Sequence, residues 1–123
     1  MTVTPSCPAL LVHENDAFRQ ALIAELDRRH FSVTFTSDDT SALKALRAKR
    51  FKVIVLAVNV NTRLGMDVLD YIRRNRAAVA AGVIMIADPD PQLRTEASVA
   101  DETLLKPVDA GYVAERARVY CRE

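Results

Sequence analysis

The sequence predicts an α/β fold of three layers, in which a doubly wound sheet of five parallel strands lies between helices on both faces. Three short stretches, residues 9–12, 53–57 and 82–87, are almost entirely apolar and rich in Val and Ile. Such runs are typical of strands that other elements cover on both faces. Segments of helical period separate the runs, and strict alternation of strand and helix favours a parallel sheet.

Two further strands are predicted at the edges of this sheet. Residues 32–35 (SVTF) alternate in polarity, and residues 103–105 (TLL) form a short run. Both features are typical of edge strands. Because crossovers between parallel strands are right-handed, edge positions for strands two and five favour the order 2-1-3-4-5.

The first helix is predicted directly after the first strand. Asp16 is a candidate N-cap, and Phe18, Leu22 and Leu26 recur every four residues. This spacing predicts an apolar stripe that packs against the sheet. Arg19 is expected to face away from that stripe, towards solvent.

The remaining four helices follow the other strands, so that five helices are expected. The second is predicted over residues 41–49 and the third over residues 68–74, from apolar residues at helical spacing. The fourth begins at Asp90, because Pro91 then takes the first helical position, where proline is favoured. The fifth begins near Asp109.

Length and composition favour one domain over residues 1–123, with a core over about residues 8–121. The formal net charge of +1 gives no basic surface of the kind that nucleic acids or anionic membranes require. The amino-terminal residues lack the pattern of a signal peptide, and no apolar run approaches the length of a membrane span. We therefore expect a cytoplasmic protein that binds neither nucleic acid nor membrane.

The chain contains two cysteines, Cys7 and Cys121. They do not have CxxC spacing, and they are too few for a structural metal site or a disulfide framework. Because cytoplasmic proteins rarely keep disulfides, the sequence predicts that both residues are free thiols.

Residues at the carboxyl ends of the strands are the candidates for function, because ligands of doubly wound sheets bind there. The segments at or near these ends are LLVHEND, VIVLA, GMDVLDYIR, VIMIA and LLKP. In this order and at nearly these intervals, they resemble the receiver domain of two-component response regulators over almost the whole chain. The resemblance implies a flavodoxin-like fold and a role in bacterial phosphorelay-type signal transduction, without enzyme activity.

The resemblance also implies a phosphorylation site with defined residue types. In receiver domains, two acidic residues after strand one and a backbone carbonyl after strand three hold Mg²⁺. An aspartate that ends strand three accepts the phosphoryl group, a Ser or Thr and a lysine bind its oxygens, and an aromatic residue on strand five acts as a switch. In that order, these roles fall on His13 and Glu14, Asn59, Ala57, Ala87, Lys106 and Thr103.

Only Glu14 and Lys106 keep the implied chemical type, which predicts a degenerate receiver, or pseudo-receiver. The methyl group of Ala57 has no lone pair for attack on phosphorus, so phosphorylation there is excluded. His13 replaces a carboxylate and leaves Glu14 as the only charged ligand, so Mg²⁺ is expected to bind weakly or not at all. One His beside one Glu also gives too few ligands for a transition metal.

Two alternatives stay open at this stage. The first is a receiver phosphorylated at a non-standard acid, for which Asp88 is the candidate. The second is a small-molecule binder of the flavin type, because the same fold hosts flavin sites at the same crevice. Against the second, residues 13–16 are acidic and contain no glycine-rich phosphate loop.

The predicted mode of action is protein–protein interaction through helix four, strand five and helix five, a face that receivers generally use. The partner would be a signalling kinase, an output protein or a second copy of the chain.

Two spacings differ from the usual receiver pattern. The loop from Ala57 to Gly65 is about three residues longer, and the run from Ala87 to Lys106 is shorter by nearly one helical turn, a change that falls on helix four.

Lys106 is expected to point into the same crevice as Glu14. A partly buried lysine needs an anionic partner or a route to water. The sequence therefore predicts an ion pair between Lys106 and Glu14, direct or through one water, with His13 as a hydrogen-bonding neighbour.

Overall fold

A computed structural model of the protein describes residues 6–121. Five strands form one sheet in the order β2-β1-β3-β4-β5, and every neighbouring pair is parallel. This confirms the predicted fold class and strand order. The strands are β1 (Cys7–Val12), β2 (Phe31–Thr36), β3 (Val53–Ala57), β4 (Gly82–Ala87) and β5 (Glu102–Leu105).

Five α-helices accompany the strands, as predicted. Short 3-10 turns at Pro91–Leu93 and Val119–Cys121 precede the fourth helix and follow the fifth. Within residues 6–121, no helix combines the length and the apolar character needed to span a bilayer. The helices are α1 (Ala17–Arg28), α2 (Asp39–Ala48), α3 (Met66–Arg74), α4 (Arg94–Ala97) and α5 (Ala110–Arg118).

Successive residues of the central strands point to opposite faces of the sheet and so belong to two separate apolar layers. On one face, Leu10 and Leu56 pack in a cluster with residues of α2 and α3. On the other face, Leu11 and Val55 pack with residues of α1 and α5. All five residues of β3 are buried, which explains why its sequence is an unbroken apolar run.

Aspartate side chains cap the amino-terminal ends of three helical segments at the predicted positions. Asp16 accepts a hydrogen bond from the Arg19 amide at 2.9 Å, Asp109 accepts one from the Tyr112 amide at 3.0 Å, and Asp90 caps the turn that Pro91 opens. These carboxylates satisfy amides that have no partner inside the helix.

The fourth helical segment is shorter than an average helix. Its first turn is the 3-10 turn Pro91–Leu93, and α4 itself has only four residues. Such a segment cannot bury a wide apolar stripe, and Leu93 is its one buried residue. The short segment agrees with the short spacing predicted between Ala87 and Lys106.

Arg19 does not face solvent, so the prediction for this residue is wrong. Its side chain is buried, donates to the Ser37 hydroxyl at 3.1 Å, and places its guanidinium carbon 4.8 Å from the centre of the Phe35 ring. The long aliphatic stem of arginine packs well against apolar groups, and its planar cation stacks on aromatic faces. Arg19 therefore ties α1 to the carboxyl end of β2.

Cys7 and Cys121 are joined by a disulfide, so the prediction of two free thiols is also wrong. The first residue of β1 and the turn after α5 meet at the same end of the sheet, and their Cα atoms lie 5.7 Å apart. That separation is within the usual range for disulfides. The two residues are 114 positions apart in sequence, which is why no local pattern indicates the pairing.

The entry into α3 depends on Gly65 and Asp39. Gly65 has a φ of 81°, and a side chain there would overlap the carbonyl oxygen of Ala57. The carboxylate of Asp39, on α2, accepts hydrogen bonds from the amides of Gly65 at 2.8 Å and Val68 at 3.0 Å. A glycine and a distant carboxylate thus bring the start of α3 close to the end of β3.

We expect Gly65→Ala to lower the free energy of unfolding by at least about 2 kcal/mol, because it combines a left-handed backbone with a backbone clash. Urea denaturation measures this change. Gly111→Ala, within α5, is the matched control: its new methyl would contact the Asp109 carboxylate at 3.0 Å, and a net effect within about 1 kcal/mol is expected. Equal losses for the two variants would contradict the role assigned to Gly65.

Candidate functional site

A cleft of about 470 Å³ opens at the carboxyl ends of β1, β4 and β5. This is the edge of the sheet at which the sequence predicted the functional residues. Its walls combine apolar groups with a few ionisable side chains. The lining residues are His13, Asp16, Phe18, Ile86, Asp88, Lys106, Pro107 and Val108.

His13 is packed into the wall of this cleft. Its residue is 2% exposed, and its ring centre lies 5.1 Å from that of Phe18. Its Nδ1 lies 3.1 Å from the backbone carbonyl oxygen of Glu14 and 3.5 Å from an Asp16 carboxylate oxygen. Because a carbonyl oxygen can only accept, Nδ1 carries the proton in this hydrogen bond. The imidazole is therefore held as part of the β1–α1 connection.

The predicted ion pair between Lys106 and Glu14 does not form. Glu14 is exposed and does not line the cleft. Lys106 is half-buried and makes no ion pair with any residue in the part of the chain that the structure describes. The direct form of the prediction is therefore wrong, because Glu14 lies outside the lining of the cleft that Lys106 enters. The contact through one water stays a prediction.

The acidic residues near the cleft lie in different settings. Magnesium requires several oxygen ligands in octahedral geometry. One oxygen of Asp16 already caps α1, Glu14 faces solvent, and Asp88 is exposed beyond the end of β4. Between residues 6 and 121, no three His, Cys, Asp or Glu side chains converge as a metal site would require.

Ala57 ends β3 beneath the loop that leads to α3. It is 3% exposed and pairs with Ile86 of β4. Two residues later, the Asn59 side-chain oxygen accepts hydrogen bonds from the amides of Asn61 at 2.8 Å and Thr62 at 3.1 Å. The side chain of Asn59 is thus committed to an Asx turn, a role that its position before a polar loop indicates but that the sequence analysis missed.

Ala87 and Thr103 line a second depression, which shares Asp88 with the first cleft. Ala87 is fully buried at the end of β4, and its carbonyl accepts from the Lys106 amide at 2.9 Å. Thr103 is exposed on β5. Both residues line a groove of about 220 Å³ between the sheet and the α4 segment, together with Leu93, Ala97 and Leu105.

The first cleft thus brings together His13 and Lys106, and the groove beside α4 brings together Ala87 and Thr103. Glu14 turns to solvent, Asn59 holds a loop, and the remaining positions carry no ionisable group. Sequence reasoning also missed Asp39, because its two amide donors lie 26 and 29 residues away. No local pattern identifies such a distant cap.

Comparison with known proteins gives consistent matches. The family model described as "Response regulator receiver domain" matches residues 9–118. The chain is 36% identical over 117 residues to the transcriptional regulatory protein CseB of Streptomyces avermitilis, and 32% identical over 117 residues to AfsQ1 of Streptomyces coelicolor. Each match covers 92% of this chain, but 48% of CseB and 50% of AfsQ1. The chain spans about half the length of these curated relatives.

A solved structure shows the same fold. The chemotaxis response regulator CheY4 of Vibrio cholerae superposes with a TM-score of 0.79 at 21% identity. The match covers 94% of this chain and 99% of CheY4. At this level of identity the structural match supports the fold alone. The assignment of the chain to a family depends on the family model and on the curated relatives.

Lys106→Met is expected to change the free energy of unfolding by about 1 kcal/mol or less, because no ion pair is lost. Arg116→Met is the matched control. Arg116 donates to Glu102 at 2.8 Å and thereby holds the pKa of that carboxyl below its usual value, so its loss should cost more than that of Lys106. Chemical denaturation compares the variants, and a larger loss for Lys106→Met would show that this lysine has an anionic partner.

Proposed function

Because the chain belongs to the response regulator receiver family, we propose that it is a two-component signalling module that works without phosphorylation. The observation that carries the proposal is Ala57, a buried methyl group at the end of β3. The resemblance assigns this position to the phosphoryl acceptor. Phosphoryl transfer needs a positioned oxygen nucleophile, and alanine offers none.

The surroundings of Ala57 support the same proposal. Ala87 has no hydroxyl group with which to bind a phosphoryl oxygen. His13 is packed against Phe18 and hydrogen-bonded to the backbone carbonyl oxygen of Glu14. Its imidazole does not supply the hard oxygen ligand that Mg²⁺ prefers. Lys106 retains a cation at the cleft, but a single cation binds a phosphoryl group without providing an acceptor for it.

We propose that the module acts through the face formed by α4, β5 and α5. Leu105 on β5 is 52% exposed and Tyr112 on α5 is 53% exposed. Beside them lies the groove of about 220 Å³ that Thr103 and Leu93 help to line. Large exposed apolar side chains next to a groove are typical of interaction surfaces. A signalling kinase, an output protein or a second copy of the chain would bind there.

The output of the module is proposed to be control of transcription, because CseB and AfsQ1 are transcriptional regulatory proteins. The chain has 17 basic and 16 acidic residues, and this balance does not favour direct contact with DNA. Contact with nucleic acid would therefore be made by a partner or by an output domain, and the receiver fold would transmit a protein-binding signal to it.

Wild-type protein incubated with acetyl phosphate and Mg²⁺ is expected to show no mass increase of one phosphoryl group, since the acceptor is absent. Intact-protein mass spectrometry makes the measurement. An adduct mapped to Asp88 or Asp16 would overturn the proposal in favour of a non-standard acceptor.

Ala57→Asp provides the comparison for this experiment. The variant supplies an acceptor oxygen but still lacks a second acidic ligand and a hydroxyl partner, so its labelling should remain far below one group per chain. The double variant Ala57→Asp, His13→Asp is expected to be labelled more than either single variant. Circular dichroism confirms that each variant is folded before labelling.

Leu105→Lys is expected to weaken self-association through the α4–β5–α5 face at least about tenfold, because it places a charge in an apolar contact. Ser32→Lys is the control, since Ser32 is also exposed but lies on β2 at the opposite edge of the sheet. Sedimentation equilibrium gives the dissociation constants. Equal effects of both substitutions, or a wild-type protein that stays monomeric at high concentration, would contradict a homodimer built on this face.

A further inference from the structure

The turn Val119–Cys121, which follows α5, is held against the amino ends of three strands. The disulfide joins Cys121 to Cys7, the first residue of β1. The ring of Tyr120 lies over Gly82, the first residue of β4, where any side chain would overlap it. The Tyr120 hydroxyl donates to Glu102, the first residue of β5, at 2.5 Å.

The disulfide, the ring contact and the hydrogen bond hold the turn in three different ways. Glu102 also accepts from Arg116 at 2.8 Å, so its carboxylate is shared by two donors from the same end of the chain. Burial and the hydrogen bond to Glu102 raise the pKa of Tyr120 to about 12. Without the disulfide, the hydrogen bond to Glu102 and the packing of Tyr120 and Cys121 against the apolar layer would hold a three-residue turn, which has little secondary structure of its own to keep it in place.

Both cysteines are only partly buried, so the pair lies at the surface and not inside the core. We propose that Cys7 and Cys121 form a redox site whose substrate is a dithiol, and that its state decides whether the turn Val119–Cys121 stays docked on the sheet.

The chemical step is thiol–disulfide exchange. A thiolate of the dithiol attacks one sulfur of the pair, the bond between Cys7 and Cys121 breaks, and a mixed disulfide forms. The second thiol of the reductant then displaces the protein sulfur. Two electrons and two protons pass in total to Cys7 and Cys121, and the reductant leaves as a disulfide. A small or protein disulfide reverses the step by accepting two electrons and two protons from Cys7 and Cys121.

The redox site is separate from the cleft at the other end of the sheet. Cys7, Gly82 and Glu102 each begin a strand, whereas His13 and Lys106 follow strand ends. The inference therefore goes beyond the proposed function and stands whether or not the cleft accepts phosphate. It supplies an input that acts on α5, one of the three elements of the proposed interaction face.

The test compares oxidised wild-type protein with the same protein treated with dithiothreitol under native conditions. Alkylation followed by mass spectrometry is expected to find no reactive thiol before treatment and both cysteines reactive after it. The amide resonance of Gly82 should then shift as the Tyr120 ring leaves, while that of Gly65, at the other end of the sheet, should not move. The melting temperature should fall by roughly 10 °C or more, since the closed loop is long.

Cys121→Ser and Cys7→Ser are the matched variants. Each is expected to show the Gly82 resonance of the reduced protein and no response to dithiothreitol. The wild-type comparison needs no variant, so it remains decisive if either substitution prevents folding. Tyr120→Phe, which keeps the ring but removes the hydrogen bond to Glu102, should undock more completely on reduction than wild type.

Three results would overturn the proposal. Thiols that are reactive in the untreated folded protein would show that the pair is not formed. A disulfide that resists dithiothreitol until the protein unfolds would be a permanent cross-link. Complete reduction with an unchanged Gly82 resonance would show that the turn stays docked whatever the state of the cysteines.

Discussion

The burial of β3 on both faces is the constraint on which the rest of the structure depends. This strand pairs with β1 on one side and β4 on the other, and its residues contribute to both apolar layers. A polar side chain inside it would lose its hydration and would need a partner. Ala57 continues the apolar run to the last residue, so the loop that follows can close directly over the strand. Gly65 approaches the Ala57 carbonyl there, and Asp39 fixes that approach from α2.

The periodic features of the sequence were sufficient to predict the architecture. Runs of buried strand length, helical stripes and aspartate caps are local signals, and each is enforced by burial or by an unsatisfied amide. The strand order followed from the handedness of crossovers, which does not depend on side-chain detail. The first residues of α2 and α3 were predicted less well. The local cap of α2, Asp38 on the Ser41 amide, was missed, and the start of α3 depends on the distant carboxylate of Asp39.

Long-range side-chain pairing could not be predicted in the same way. The disulfide joins residues 114 positions apart, and its prediction as free thiols rested on composition and expected compartment alone. The supposed pair between Lys106 and Glu14 failed for the opposite reason. Proximity in the family pattern was taken as contact, yet Glu14 is exposed and lies outside the lining of the cleft. Arg19 was assigned to solvent because it lies off the apolar stripe of α1, although its stem and its planar head group favour packing on Phe35.

The two ends of the sheet therefore differ in what they offer chemically. At the carboxyl ends, the ionisable residues His13, Asp16, Asp88 and Lys106 line an open cleft. The strands β3 and β4 end there in buried alanines, which carry no nucleophilic oxygen. At the amino ends, a disulfide, a tyrosine and a shared carboxylate converge on one short turn. Since α5 runs between these ends and carries the exposed Tyr112, the proposed redox site and the proposed interaction face lie on the same helix. Under these two proposals, the state of the cysteines acts on the interaction face through α5, without a phosphoryl group at Ala57.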